Sequence, residues 1–238
     1  MKRLIDFFIS FLSLVLLFPL FIIIGILIKV DSVGPIFFLQ NRVGYKCVIF
    51  KIIKFRTMYI NSENAGKLTY YKDIRVTNFG SFLRRYKIDE LPQLINVLVG
   101  EISLVGPRPN VKSEVDLYTN VEKKLLSIKP GITDFSSLVF SDEEKILENK
   151  ENPDLSYNQL IRPWKSRLGL IYIKHKSILL DFELMIFTLV ALISKPMALK
   201  WVVKKLEKFN VDQKIIEVVK RDKELFPFPP PGSDKIVV

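Results

Sequence analysis

The longest apolar run of the chain lies close to its N-terminus. The stretch from Phe7 to Ile28 contains no charged residue. As a straight helix it would be about 33 Å long, which is enough to cross a bilayer. It is too long for the apolar region of a signal peptide, and no small-residue cleavage site follows it. We therefore expect a membrane helix that is retained in the protein.

The topology of this helix is open from its residues alone. Pro19 lies in the middle of the run and favours a kink, because it removes one helical hydrogen bond. Basic residues stand at both ends, with Lys2 and Arg3 before the run and Lys29 after it. The positive-inside rule places both ends in the cytosol, which a kinked re-entrant helix satisfies. An ordinary spanning anchor is an equal alternative, since proline also occurs in spanning helices.

The polar and apolar pattern after this helix predicts short strands and amphipathic helices. The segments 35–44 and 48–58 alternate and favour extended chain, and 61–71 is typical of a loop. Amphipathic helices are predicted from Phe79 onwards and between residues 111 and 127, with an acidic loop over 141–153. We predict an α+β fold that is mainly helical.

The clearest helix is predicted between Asp89 and Gly100. Leu91, Leu94, Ile95 and Leu98 recur at the spacing of one helix face. Asp89 or Ile88 would be near the N-cap, and Gly100 suits the position after the helix. Both acids of the pair Asp89–Glu90 would then lie at the positive end of the helix dipole, which also attracts phosphate.

The C-terminal part of the chain alternates basic and apolar segments. The stretch 162–176 is basic and contains Trp164 and Arg167, which we interpret as a membrane-interface belt. The apolar stretch 178–193 carries two acids and is interpreted as a buried or interfacial helix. A basic amphipathic tail over 201–223 precedes "FPFPPPG", which should be extended.

Charge and composition limit the chemistry. The formal net charge of +11 predicts an anionic partner, either nucleic acid, anionic lipid or a phosphorylated substrate. With Cys47 and His175 as the only residues of their types, a zinc site, a Ser-His-Asp triad and an intrachain disulfide are disfavoured. A metal would have to be held by carboxylates and phosphates, which favours Mg²⁺ or Mn²⁺.

Asp89 and Glu90 are the strongest candidates for catalysis, because basic residues surround them in the sequence. Arg84 precedes them, and Arg108 follows in the rigid "GPRP". One carboxylate could attack phosphorus while the other holds a divalent ion. The plainer interpretation is a helix cap with a favourable first-turn acid. Arg56 and Arg75 are candidate phosphate ligands that could equally form a solvated basic face.

The sequence resembles the bacterial sugar transferases, the monotopic phosphoglycosyl transferases. The similarity extends over roughly residues 1–195. It rests on the apolar helix with Pro19 and on the segments "KFRTM", "DIRVTNFGSFLRR", "DELPQLINVLVGEISLVGPRP", "KPGIT" and "KSILLDFELMIFT". The resemblance implies transfer of sugar-1-phosphate from a UDP-sugar to a polyprenyl phosphate such as undecaprenyl phosphate, with release of UMP. It implies that Asp89 is the nucleophile, that Glu90 binds Mg²⁺, and that Arg84 and Arg108 bind phosphate.

The resemblance also implies an organisation and a location. Residues 1–30 would form a re-entrant membrane helix and 31–195 a small cytosolic catalytic domain with interfacial helices, while 196–238 form a basic extension outside the resemblance. The protein would lie at the cytoplasmic face of the bacterial inner membrane, in contact with its lipid. It would start assembly of a surface polysaccharide or glycoprotein glycan, with a homo-oligomer as a possible assembly.

Two positions depart from the family pattern, and two other functions compete. Phe18 stands where many relatives have serine before the kink proline, and Asp134 follows "PGIT" where many have glycine. A non-catalytic membrane-anchored adaptor that binds anionic partners is the alternative function. Nucleic-acid binding is not expected, because the basic residues flank membrane-like segments and no nucleic-acid-binding signature is present.

Overall fold

The structure is a computed structural model that describes residues 1–60, 73–148 and 150–237. Helices dominate, and the few strands are short, as predicted. The predicted loop over 61–71 lies outside the described residues. Most buried side chains form one core, and a small second cluster lies beside it.

Helix α1 (Lys2–Asp31) runs through Pro19 and is long and apolar enough to cross a membrane. One stripe of this helix packs inward, and it includes Asp6, Ser10, Ile24 and Ile28. The other faces expose large apolar side chains, among them Phe8, Phe11, Leu12, Val15, Leu16, Phe18, Ile23 and Val30. The helix is therefore attached to the protein body along one stripe, and the predicted kink stays a prediction.

Two strands form an antiparallel hairpin after α1. Strands β1 (Phe37–Val43) and β2 (Ile49–Phe55) pair with Phe37 opposite Phe55, and both lie within the segments predicted as extended chain. Helix α2 (Asn78–Arg85) follows and begins at Thr77, whose side chain accepts a hydrogen bond from the Gly80 amide. Phe55 and Leu83 join Ile24 and Ile28 of α1 in the small second cluster.

The predicted helix over 89–100 is divided in the structure. Residues Ile88–Glu90 form a 3-10 turn, and helix α3 covers Gln93–Val99 and ends at Gly100 in the left-handed conformation with φ 91°. The acids are thus inside a tight first turn rather than at an N-cap. Their position at the N-terminal end of α3 agrees with the prediction.

A second, parallel pair of strands lies next to α3. Strand β3 (Ser103–Val105) pairs with β4 (Gly131–Thr133), and helix α5 (Phe135–Val139) begins at Asp134. Further elements pack around this pair and complete the body: α6 (Glu143–Ile146), α7 (Pro153–Ser156), the π-helical turn Tyr157–Ile161, α8 (Arg162–His175) and α9 (Ile178–Ile193).

The prediction of a single helix between residues 111 and 127 is wrong. The structure has a short α4 (Lys112–Val115) and a separate 3-10 helix over Glu122–Ser127. The break arises because Thr119 and Glu122 exchange hydrogen bonds between side chain and backbone, which starts a new turn. The acidic segment 141–153, predicted as a loop, likewise contains the short helix α6.

The C-terminal extension packs onto the same core as the rest of the chain. Helices α10 (Lys195–Lys208) and α11 (Gln213–Lys220) contribute Val202, Leu206 and Val219 to the main cluster. Residues 222–237 form neither helix nor strand and lie against α8. Their predicted extended conformation stays a prediction. Phe228 stacks on Trp164 with ring centroids 4.5 Å apart, and Arg167 donates to the Pro229 carbonyl at 2.9 Å.

The interpretation of Trp164 as part of a membrane-interface belt is therefore wrong. Its side chain is only 1% exposed, because Phe226 and Phe228 cover it. The aromatic pattern of the extension and that of α8 belong to one packing interaction within the protein.

Candidate active site

The acid pair is positioned by a sharp turn between α2 and α3. Lys87 has a left-handed backbone conformation (φ 56°), which redirects the chain after α2 and starts the 3-10 turn that carries Asp89 and Glu90. Asp89 is buried, with 8% of its surface exposed. The turn therefore points a carboxylate into the protein at the N-terminal end of α3.

Arg108 reaches the acid pair from the other side. Its Nη2 lies 2.7 Å from Glu90 Oε1 and its Nη1 lies 3.3 Å from Glu90 Oε2. The backbone around Arg108 is fixed by the strand pair, because the Gly106 amide donates to the Thr133 carbonyl and the Gly131 amide to the Pro107 carbonyl. The rigid "GPRP" thus positions its arginine against Glu90.

Lys54 completes this arrangement and was not among the residues expected from the sequence. It lies on β2, and its Nζ is 2.8 Å from Glu90 Oε1. Its sequence signal is weak, since a lysine between Ile53 and Phe55 in an alternating strand is equally typical of an exposed edge. The packing of β2 against α3 and the turn Ile88–Glu90 brings Lys54 to the acid pair.

The two cations determine the charge state of Glu90. Burial alone would raise its pKa, but Arg108 and Lys54 outweigh this effect and hold the pKa well below its usual range. In return, Glu90 raises the pKa of Arg108. The pKa of Lys54 is lowered by its burial, which Glu90 opposes. Glu90 is thus an ionised, paired carboxylate at neutral pH.

Asp89 is in the opposite situation. Its Oδ1 is buried and has no hydrogen-bond partner among the described residues. Burial raises the pKa of Asp89, and Lys54 opposes this shift without cancelling it. An ionised carboxylate with a poorly solvated oxygen is suited to attack an electrophile that is held beside it.

The other predicted phosphate ligands have protein partners in the structure. Arg84 Nη2 lies 2.5 Å from Glu144 Oε1. Arg75 forms an ion pair with Asp73 at 2.5 Å. Arg56 is buried and donates to the carbonyls of Ile28, Ser32 and Val33 at the end of α1. Their role as phosphate ligands stays a prediction.

The carboxylates of the site suit a hard cation only in part. Among the described residues, no group of three or more His, Cys, Asp or Glu side chains could hold a metal ion. Asp89 offers an unpartnered oxygen, whereas both Glu90 oxygens contact cationic side chains. An Mg²⁺ ion here would need phosphate oxygens and water as further ligands, which is its common mode of binding.

Comparison with known proteins identifies the family to which the chain is similar. The family described as "Bacterial sugar transferase" matches residues 1–195. The chain is 36% identical over 193 residues to the UDP-glucose:undecaprenyl-phosphate glucose-1-phosphate transferase of Klebsiella pneumoniae. The aligned region covers 79% of this chain and 39% of that protein.

Two further relatives cover shorter regions. The UDP-N-acetylgalactosamine-undecaprenyl-phosphate N-acetylgalactosaminephosphotransferase of Aeromonas hydrophila is 40% identical over 142 residues, which is 58% of this chain and 34% of that protein. The exopolysaccharide production protein ExoY of Sinorhizobium fredii is 38% identical over 148 residues, with coverages of 56% and 66%. The matches thus span about one third to two thirds of these relatives. The family match covers most of this chain, and with it the residues that form the candidate active site, so the chain belongs to the bacterial sugar transferase family.

Proposed function

We propose that this chain transfers sugar-1-phosphate from a UDP-sugar to undecaprenyl phosphate and so starts assembly of a surface glycan. The observation that carries the proposal is the unpartnered, buried oxygen of Asp89 beside a glutamate held by Lys54 and Arg108. The names of the relatives from Klebsiella pneumoniae and Aeromonas hydrophila specify undecaprenyl-phosphate sugar phosphotransferases, which supports the donor and acceptor classes.

The reaction would proceed in two displacements at one phosphorus atom. A carboxylate oxygen of Asp89 attacks the phosphorus that bears the sugar, and the bond to the bridging oxygen of the diphosphate breaks. UMP leaves with the electron pair of that bond, and an aspartyl-phosphosugar ester remains on Asp89. A phosphate oxygen of the acceptor then attacks the same phosphorus, which releases the Asp89 carboxylate and forms the polyprenyl diphosphosugar.

Basic side chains around the pair would stabilise the phosphate oxygens during both steps. Arg108 and Lys54 already lie at the acid pair, and Arg84 contributes to the electrostatic environment of Asp89. Arg84 would have to exchange Glu144 for a phosphate, and Arg75 and Arg56 would likewise have to exchange their partners. We assign the first phosphate contacts to Arg108 and Arg84, because these two arginines act on the acid pair.

Magnesium is part of the proposal. Glu90 would be its protein ligand, and the ion would neutralise phosphate charge when bound. Because Glu90 Oε1 also contacts Lys54 and Arg108, the glutamate would share its charge among these cations. The carboxylate oxygens of Asp89 and Glu90 suit this choice, because Mg²⁺ prefers hard oxygen ligands.

We place the protein at the cytoplasmic face of the inner membrane, with α1 as a re-entrant helix. Contacts of both helix ends with the same protein body support this topology: Arg3 donates to the Leu98 carbonyl at 2.6 Å, and Arg56 holds the other end. Helix α9 adds an exposed apolar stripe, formed by Leu179, Phe182, Ile186 and Leu189, that suits the membrane surface.

A direct assay tests the proposed reaction. The purified chain is incubated with undecaprenyl phosphate, Mg²⁺ and a panel of UDP-sugars, and the released nucleotide is identified by chromatography. The proposal expects UMP with at least one donor. Release of UDP would contradict it, because UDP is the product of ordinary glycosyl transfer. Absence of turnover with every donor would instead favour the adaptor function.

A further inference from the structure

An acidic turn lies beside the candidate active site and does not belong to the chemistry proposed above. It consists of Asp142, Glu143 and Glu144 at the start of α6. Each acid binds a basic residue from another part of the chain: Asp142 binds Lys195 and Arg221, Glu143 binds Lys165, and Glu144 binds Arg84. The turn therefore places a carboxylate on Arg84, which is one of the predicted phosphate ligands.

The contact between Glu144 and Arg84 differs from the one between Glu90 and Arg108. Glu90 contacts both terminal nitrogens of Arg108, and its side chain is 13% exposed. Glu144 contacts one nitrogen of Arg84, and its side chain is 38% exposed. A partly solvated pair with one contact is weak, since water screens it and both side chains lose conformational freedom. Another anion can therefore displace Glu144.

The turn would repel an anion that arrives at Arg84 while Glu144 is bound there. The charge of Glu143 acts on Arg108, so the turn carries one acid beside each of the two predicted phosphate ligands: Glu144 at Arg84 and Glu143 near Arg108. Bringing a phosphate next to two carboxylates is unfavourable unless one of them moves away. The single contact of Glu144 makes it the residue that can move.

We propose that Glu144 is a built-in competitor of phosphate for Arg84, and that it sets how tightly the site binds a nucleoside diphosphate. This inference rests on the proposed function, because it needs Arg84 as a phosphate ligand. A ligand with several phosphate charges displaces Glu144 more readily than a singly charged anion does, so the turn favours diphosphates over the small anions of the cytosol.

The C-terminal extension holds the turn in place during this exchange. Asp142 Oδ1 lies 2.8 Å from Lys195 Nζ, and its Oδ2 lies 3.3 Å from Arg221 Nη2. Arg221 follows α11 in a left-handed conformation and lies beyond the part of the chain that the family match covers. Leu147 anchors the other end of α6, since its side chain is buried. Glu144 can thus release Arg84 while the turn keeps its position.

Titration of the purified full-length chain with UDP in detergent and Mg²⁺, followed by calorimetry, tests the proposal. Replacing Glu144 by the neutral glutamine (E144Q) should tighten UDP binding about threefold to fivefold, because the competitor is removed. E151Q is the matched control: it removes the same charge at an exposed nearby position and should leave the affinity unchanged. Unchanged or weaker binding by E144Q would overturn the proposal, and weaker binding would mean that Glu144 orients Arg84.

A second pair of variants separates direct competition from a general charge effect. In an R84Q background, E144Q should leave UDP binding unchanged, because the contested guanidinium is gone. An equal gain in both backgrounds overturns the proposal. If R84Q weakens binding while E144Q has no effect, only this inference fails. If R84Q itself has no effect, or the unmodified chain does not bind UDP, the role of Arg84 in the proposed function fails too.

Discussion

Asp89 and Glu90 are neighbours with opposite electrostatic environments. Burial raises the pKa of Asp89, so its ionised form costs stability at pH values above the pKa of an unfolded aspartate. Arg108 and Lys54 hold the pKa of Glu90 low against the effect of burial. Ionised Glu90 therefore adds stability above the ordinary glutamate pKa, and this contribution is lost as the pH falls through the lowered value. Adjacent acids thus act on the free energy of unfolding in opposite directions.

The variants D89N and E90Q should separate these effects at neutral pH. D89N removes a poorly compensated charge and should raise the free energy of unfolding by about 1 kcal/mol. E90Q leaves Arg108 and Lys54 without their counter-charge and should lower it by about 2–4 kcal/mol. Thermal unfolding in detergent measures both, and each variant should lose turnover. Equal destabilisation by the two changes would show that the Asp89 charge stabilises the fold as the Glu90 charge does.

At the scale of single residues, part of the candidate site can be predicted from the sequence. The acid pair and the arginine of "GPRP" stand out because their local pattern is unusual. Lys54 and Glu144 do not stand out, since each is an ordinary charged residue whose partner lies far away along the chain. Such contacts depend on how the elements pack, and no local pattern specifies them.

Helix α1 is attached to the protein body near both of its ends. Asp6 accepts hydrogen bonds from the Ser103 hydroxyl at 2.8 Å and the Leu104 amide at 3.2 Å, close to the N-terminus. Arg56 donates to the Ser32 carbonyl at 2.7 Å at the other end. A helix that crossed a bilayer completely would carry one of these ends away from the body.

Cysteine labelling measures this topology. One cysteine is added before Met1 and another replaces Val33, each in a C47S background, because Cys47 is exposed and would react as well. In intact inverted membrane vesicles, both should react with a membrane-impermeant maleimide, since the proposed re-entrant topology places both ends in the cytosol. Labelling of only one of them would identify a spanning anchor.

The C-terminal segment after α11 is attached to α8 by aromatic stacking and hydrogen bonds. Phe228 contacts both Trp164 and Arg167, and the Arg167 guanidinium is 4.7 Å from the Phe228 ring centroid. The Phe228 amide also donates to the Gln159 carbonyl at 3.0 Å. The segment therefore acts as a strap that shields the most buried tryptophan of the fold.

Truncation of Phe228 to alanine should cost about 2–3 kcal/mol of stability, because it removes this stacking and exposes Trp164. Chemical denaturation followed by tryptophan fluorescence measures the loss, with F226A as the matched control. Phe226 is half exposed and meets Trp164 only edge-on, so its removal should cost less. If F228A and F226A are equally mild, the strap does not stabilise α8.

At the scale of elements, the patterns predict the two extended segments that form the hairpin, and the helices α2 and α9. They fail between residues 111 and 127, where Thr119 and Glu122 interrupt the helix through side-chain hydrogen bonds. They fail at Trp164 for a different reason: an aromatic residue in a basic segment suits a membrane interface and a buried contact equally. Only the distant partner Phe228 decides between the two.

For the whole molecule, the hydrophobic core extends beyond the region that matches the family. Val202 and Leu206 of α10 and Val219 of α11 are fully buried in the same cluster as Leu168 and Leu184. The sequence predicts the membrane helix, the mainly helical class and the basic extension. It does not predict that the extension packs against the body and binds the acidic turn, because that depends on long-range contacts.

The central claim is that Asp89 carries the sugar phosphate during transfer. The most direct test is intact-mass spectrometry. The purified chain is incubated with Mg²⁺ and a UDP-sugar that it accepts as a donor, but without undecaprenyl phosphate. We predict a mass increase of one sugar phosphate that maps to the peptide containing Asp89, disappears on addition of the acceptor and is absent from D89N. A folded, active chain that shows no such adduct, or an adduct on another residue, would contradict the claim.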